Sequence, residues 1–231
     1  MKPPLPRPAE PGWVETAAAE VGLAYRGGFA LADAERVGAL AQAKSLMLFG
    51  FLGAGQWPVF AASPEAADGR AHPLDRWSRR VIGALGARLG GTPLFPFEGP
   101  PYWPFQAWAQ RAESVFPSPL GLLIHPRYGL SHSYRGALAF AEAVAFPKVE
   151  ALASPCASCA AKPCLAACPV TAFTAAGYDV EACAAWLREP SGRECRDGGC
   201  LARRACPAGA DFAQAPEQAR FHMAAFLAAR G

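Results

Sequence analysis

The stretch Cys156-Ala-Ser-Cys159-Ala-Ala-Lys-Pro-Cys164-Leu-Ala-Ala-Cys168-Pro169 closes on a cysteine–proline pair, and a looser set, Cys183, Cys195, Cys200 and Cys206-Pro207, closes the same way. All 8 cysteines of the 231-residue chain belong to these two sets. Two quartets with a common ending imply two metal sites. An iron–sulfur cubane needs four thiolates converging from different directions, and a short Cys-x-x-Cys turn delivers two of them while backbone N–H groups cover the sulfides. Structural zinc prefers two compact Cys-x-x-Cys pairs, and only one is present. Disulfide frameworks serve secreted chains too small to build a core, and this chain needs no such staples. The spacing therefore favours two 4Fe-4S clusters over zinc or disulfides.

The Cys-Pro endings also suggest how the quartets divide. In two-cluster ferredoxins the cysteine before proline ligates the other cluster. By that rule Cys156, Cys159, Cys164 and Cys206 form one site, and Cys168, Cys183, Cys195 and Cys200 the other. The four residues between Cys159 and Cys164, and the stretched second set, depart from the standard run. Arg196, Arg203 and Arg204 lie among these cysteines, where they compensate the negative charge of a thiolate-ligated cluster or dock an acidic redox partner.

Outward from the cysteines, 52% hydrophobic and 18% charged residues describe a globular chain with a sizeable core. A net charge of +3 without a basic run does not point to nucleic acid. Residues 1–12 read as a flexible tail, with five prolines before Gly12 and no apolar secretion signal, so the expected location is the cytoplasm. The apolar run from Leu46 to Ala62 is interrupted by glycines and Pro58 and is too short for a bilayer; no membrane contact is expected.

The first two-thirds of the chain mix periods. Trp13 to Ala24 and Asp33 to Ala43 read as helices, and Ser45 to Leu52 as a strand. Pro73 to Leu89 sets Leu74, Trp77, Val81, Leu85 and Leu89 on one face of a helix, with Arg76, Arg79, Arg80 and Arg88 largely off it. Pro104 to Val115 repeats the helical pattern, while Leu120 to His125 and Ala137 to Phe146 read as strands. Regular β-α-β units are few, so the expectation is a mainly antiparallel sheet flanked by helices, an α+β fold. The loop from Gly91 to Pro104 carries Phe95, Phe97, Tyr102 and Trp103 among prolines and glycines. It is either an aromatic plug over the core or the wall of a pocket for a large, flat cofactor.

The turn His125-Pro-Arg-Tyr-Gly-Leu-Ser-His-Ser-Tyr-Arg-Gly136 crowds His125, His132, Tyr134 and Arg135 between two expected strands. Such a cluster lines a site that binds an anion or donates protons; the alternatives are a strand-end histidine held by backbone and an arginine in a salt bridge.

This turn resembles the cobalamin type C family, whose cytosolic, cobalamin-processing members carry a similar His-Pro-Arg-aromatic-Gly followed at the same offset by Arg-Gly. Weaker similarity runs through residues 45 to 147. The resemblance implies a nitroreductase-like α+β domain that binds cobalamin. His125, His132, Tyr134 and Arg135 would be its reactive side chains, and Phe95, Phe97, Tyr102, Trp103 and Arg127 its cofactor wall. Ser131 stands where the family has an aromatic residue. The cysteine module is similar to the two-cluster domain of epoxyqueuosine reductase and the reductive dehalogenases, which join such a domain to two 4Fe-4S clusters. It does not bring a clear match to the substrate-binding residues of epoxyqueuosine reductase.

The expected architecture is a tail at 1–12, a cobalamin type C-like domain at 13–150 and a ferredoxin-like two-cluster domain with a C-terminal helix at 151–231. The expected activity is that of a cobalamin-dependent or cobalamin-processing reductase whose clusters pass electrons to a corrin. A flavodoxin, ferredoxin or reductase would be the donor. The alternatives are an electron-transfer protein without a corrin, or sites that hold clusters or zinc only for structure.

Overall fold

The computed structural model describes residues 11–230; positions 1–10 of the expected tail lie outside the described residues, and Pro11 and Gly12 open the first helix. The helices are α1 Pro11–Glu20, α2 Trp57–Ala61, α3 Pro64–Ala67, α4 Pro73–Leu89, α5 Phe105–Ala112, α6 Pro155–Ser158, α7 Pro163–Ala166, α8 Val180–Arg188, α9 Arg193–Gly198, α10 Leu201–Arg204 and α11 Pro216–Ala228. The strands are β1 Ala24–Ala30, β2 Ser45–Leu52, β3 Thr92–Leu94, β4 Phe116–Pro117, β5 Leu123–Ile124, β6 His132–Phe140, β7 Phe173–Thr174 and β8 Gly177–Tyr178. The chain is α+β, and it divides into two compact units. None of the described helices is long and apolar enough to cross a membrane.

The first unit runs to Phe51 and continues through Gly55–Ser114 and Ser133–Glu150. Its sheet has the order β1-β2-β6-β3. β1 and β2 are antiparallel, as are β3 and β6. The Lys44 N–H donates to the Phe140 carbonyl at one end and the Gly53 N–H to the Ser131 carbonyl at the other, so β2 and β6 also run in opposite directions. β2 lies between two neighbours and is buried on both faces, which is why Leu46, Met47, Leu48, Phe49 and Phe51 form a continuous apolar run.

Helix α4 has the bounds its periodicity predicts, and Leu74, Trp77, Val81, Leu85 and Leu89 are all buried. The same turns aim Arg76, Arg80 and Arg88 outward, where they pair with Asp68, Glu65 and Glu20. Asp75 in the first turn and Arg88 in the last complement the helix dipole.

Other expectations are corrected. Asp33 to Ala43 is not a helix but two short 3-10 turns, Asp33–Glu35 and Gly38–Leu40, separated by Arg36 and Val37. The first helix ends at Glu20, and the following residues enter β1, a strand the sequence hides because Gly27-Gly28 reads as a turn. The pairing shifts between Tyr25 and Gly28, where Gly27 adopts φ +76 and forms a bulge beside the Ala112 carbonyl. The last strand of the sheet begins at His132 and ends at Phe140, so the apolar residues beyond it leave the ladder. The expected strand from Leu120 to His125 shrinks to Leu123–Ile124, paired with Phe116–Pro117.

The second unit comprises Leu52–Ala54, Val115–His132 and Ala151–Gly231. It therefore takes more of the chain than the expected 151–231. Leu120, Ile124 and Leu130 bury themselves with Cys164 and Ala202 in one apolar cluster, which brings in the segment from Val115. The Arg203 guanidinium donates to the Leu130 carbonyl through Nε at 3.0 Å and ties the same segment down.

Candidate metal centres

Each cysteine is delivered by a short element with a defined stop. Ser154 caps α6, its hydroxyl accepting from the Cys156 N–H at 3.3 Å, and Cys159 ends that turn. Pro163 starts α7, which places Cys164, and the chain then leaves the helix before Cys168. Asp179 caps α8 through the Ala182 N–H at 2.9 Å and so fixes the helix that carries Cys183. Cys195 sits in α9, Cys200 caps α10 and Cys206 follows it.

Two cavities result. One is walled by Cys156, Cys159, Cys164 and Cys206, together with Ile124 and Lys162. The other is walled by Cys168, Cys183, Cys195 and Cys200, with Phe173, Trp186 and Leu187. They are small and similar in size, about 30 and 20 Å³. All eight cysteines are free thiols. Among the described residues no group of three or more His, Cys, Asp or Glu side chains is arranged to hold a single metal ion. The cavities divide the cysteines into the same crossed quartets that the Cys-Pro endings suggest.

The electrostatics suit a bound cationic core. Burial pushes the thiols of Cys156, Cys183, Cys200 and Cys206 upward, and the neighbouring cysteines of each quartet push the same way. Opposing this, Lys162 favours the Cys156 thiolate, the Tyr178 hydroxyl donates to the Cys183 sulfur, and backbone N–H groups of Arg203 and Ala202 point at Cys200. The Ala172 N–H donates to the Cys168 sulfur at 3.3 Å. Such donors stabilise thiolates, the metal-binding form. The donor set is all sulfur, a soft set that suits iron–sulfur clusters.

A buried polar atom bears on the fit. Trp186 Nε1 is enclosed without a hydrogen-bond partner among the described residues, and Trp186 lines the second cavity. A sulfur-rich group held there would offer the acceptor it lacks. Tyr178, Trp186, Lys162 and Ile124 were not read from the sequence. The signal for Trp186 was its place three residues after Cys183, which puts both on one side of α8.

The turn His125–Gly129 lies in the second unit beside the first quartet. Gly129, at φ +55, faces the Ala208 carbonyl, and Gly209, at φ +71, faces the Tyr128 backbone. The Tyr128 ring meets Phe212 with centroids 4.7 Å apart, and the exposed Arg127 lies over both rings. His125 Nδ1 accepts from the Arg127 and Tyr128 N–H groups at 2.9 and 3.2 Å. His132 Nε2 donates to the Leu123 carbonyl at 2.9 Å, and the two imidazoles are 6.1 Å apart. One face of the motif thus holds the Cys206 segment.

Tyr134 and Arg135 belong to the first unit and have separate partners. The Tyr134 hydroxyl donates to Glu113 at 2.5 Å under the buried Arg26, whose Nη2 reaches Glu113 at 2.6 Å and whose guanidinium lies 4.5 Å from the Tyr134 ring. Burial, in the first place, pushes the Tyr134 phenol far up, so it stays protonated. Arg135 donates to Asp75 at 2.5 Å and Ser78 at 3.0 Å on α4. These two side chains are tied to different neighbours rather than to one shared point, the salt-bridge alternative for Arg135. In the aromatic loop, Phe95 is buried and stacks on Phe97 at 5.3 Å, Trp103 stacks on Trp108 at 5.7 Å, and Tyr102 is exposed.

No family model matches the chain, and no curated protein matches it. Solved structures with a similar fold are epoxyqueuosine reductases. That from Streptococcus thermophilus is 14% identical, covers 88% of this chain and 67% of its own, and superposes with a TM-score of 0.51. One solved with an epoxyqueuosine-modified tRNA-Tyr stem loop is 16% identical over 91% of this chain and 64% of its own, at 0.51. A selenomethionine-labelled one is 16% identical over 78% and 53%, at 0.50. The chain therefore spans between about half and two thirds of their length.

Proposed function

We propose that this chain is an iron–sulfur redox protein of the reductase kind, holding one 4Fe-4S cluster on Cys156, Cys159, Cys164 and Cys206 and a second on Cys168, Cys183, Cys195 and Cys200. The observation that carries the reading is the division of eight free thiols between two small cavities, four to each. The clusters, when bound, supply one-electron chemistry. The chain's part is to hold them in separate, largely apolar chambers, to aim N–H and O–H donors at their sulfurs and to limit access of oxygen. The shared fold with epoxyqueuosine reductases supports a reductase, without carrying their substrate over.

The finer reading is that a corrin accepts the electrons; it rests on the resemblance of residues 125 to 136 to the cobalamin type C family. The engagement of Tyr134 by Glu113 and of Arg135 by Asp75 favours the second reading, an electron-transfer protein without a corrin. Anaerobic reconstitution with iron and sulfide tests the shared part: about eight irons and eight sulfides per chain are expected, and tightly held zinc without labile sulfide overturns it. Titration of the reconstituted protein with cobalamin separates the two readings, because a bound corrin changes its own visible bands.

A further inference from the structure

The walls of the two cavities differ in ways that their common set of four thiols conceals. The first has a cation in its lining: Lys162, whose Nζ is anchored on the Cys156 carbonyl. The second is lined by Phe173, Trp186, Leu187 and Met223 around its cysteines, with no charged side chain in its described lining. Into this apolar wall α8 brings an indole. Trp186 follows Cys183 by three residues, so both reach the same side of the helix. Its Nε1 is buried and has no acceptor among the described residues. An unsatisfied buried N–H is unfavourable, and since none of the cavity's cysteine sulfurs accepts from it, the acceptor it lacks is one that a bound group would bring.

Resting on the reading that both quartets hold clusters, we infer that the Trp186 N–H donates a hydrogen bond to an inorganic sulfide of the second cluster and sets its reduction potential. Lys162 does the corresponding work at the first cluster by charge. Reduction adds one electron to a core already surrounded by four thiolates, from whichever single-electron donor serves the protein, and no bond is made or broken. A hydrogen-bond donor or a cation stabilises the added negative charge and raises the potential. Apolar burial opposes it. The two clusters are therefore unequal, and each is adjusted by its own residue.

The test is a potentiometric titration of the reconstituted full chain, followed by electron paramagnetic resonance. Signals are assigned to the two sites by comparison with Cys159→Ser and Cys183→Ser. Trp186→Phe keeps an aromatic ring and removes the donor. Its expected result is a downward shift at the second cluster approaching tenfold in the one-electron equilibrium, about 59 mV, with the first unmoved. Lys162→Met should do the converse. Benzothienylalanine at position 186 keeps the bicyclic outline without the N–H and guards against a packing defect; it should reproduce the Trp186→Phe shift. Unchanged potentials in both position-186 variants, or equal shifts at both clusters, overturn the inference. Failure of the unaltered chain to assemble clusters overturns instead the reading on which it rests.

Discussion

Gly129 and Gly209 pass so close that neither position has room for a β-carbon: one built on Gly129 falls 1.8 Å from the Ala208 carbonyl oxygen, and one on Gly209 falls 2.3 Å from the Tyr128 carbonyl carbon. Both also need the left-handed backbone. Gly129→Ala combines a clash with an unfavourable φ and is expected to destabilise the second unit by about 3 kcal/mol. Gly121 has the same φ requirement in open space, so Gly121→Ala should cost only about 1 kcal/mol. Hydrogen exchange across residues 115–132 and 200–212, read in both variants, checks the difference.

Cys206 lines the cavity of Cys156, Cys159 and Cys164 although it is nearer in sequence to Cys200. Cys206→Ala should lower the iron content by about half and abolish the signal that Cys159→Ser abolishes. Loss of the signal that depends on Cys183 would show that the ligand sets are not crossed.

Arg135 is the partner of both Asp75 and Ser78. Arg135→Ala leaves a partly buried carboxylate and a buried hydroxyl short of a donor, and should cost about 2 kcal/mol in urea unfolding. Arg135→Lys should recover only part of it, since an ammonium cannot reproduce the two-armed contact. If Arg135→Ala instead leaves stability unchanged and weakens cobalamin binding, Arg135 serves the corrin rather than α4.

Arg80 beside Glu65 holds that carboxyl down at about 2 through a hydrogen-bonded pair. The unfolded chain protonates it near the ordinary value of about 4.3. The pair's contribution is therefore complete above that value and disappears as pH falls toward 2. Arg80 is more than half exposed, so solvent screening limits the effect to about 1 kcal/mol. The difference in urea midpoint between the native chain and Glu65→Gln should shrink from pH 6 to pH 2.5; a constant difference would exclude the linkage.

Helix α4 and strand β2 were legible because burial repeats with the period of each element: Trp77, Val81 and Leu85 recur on one helical stripe, and the central strand is apolar throughout. The division of the cysteines was legible in Cys168-Pro169 and Cys206-Pro207. Strand β1 was not, since Gly27 and Gly28 carry no side chain to show a period and serve a bulge. Residues 115–132 were not legible as part of the second unit, because the contacts of Ile124 with Cys164 and Ala202 are distant in sequence. The sequence grouped Tyr134 with Arg135, but Glu113 and Asp75, which draw them to different neighbours, lie far off along the chain.

The crossed quartets nest one set of cysteines within the other: Cys168, Cys183, Cys195 and Cys200 all lie between Cys164 and Cys206. During synthesis the inner quartet is complete as soon as Cys200 has emerged. The outer one must wait for Cys206, holding three of its thiols ready meanwhile. With clusters bound, release of Cys206 would free one end of the loop that carries the inner cysteines, whereas disturbance of Cys183 would leave both ends of that loop pinned. If each quartet holds a cluster, maturation is expected to run from inside to outside and damage by oxygen from outside to inside, with the outer cavity the first to fail.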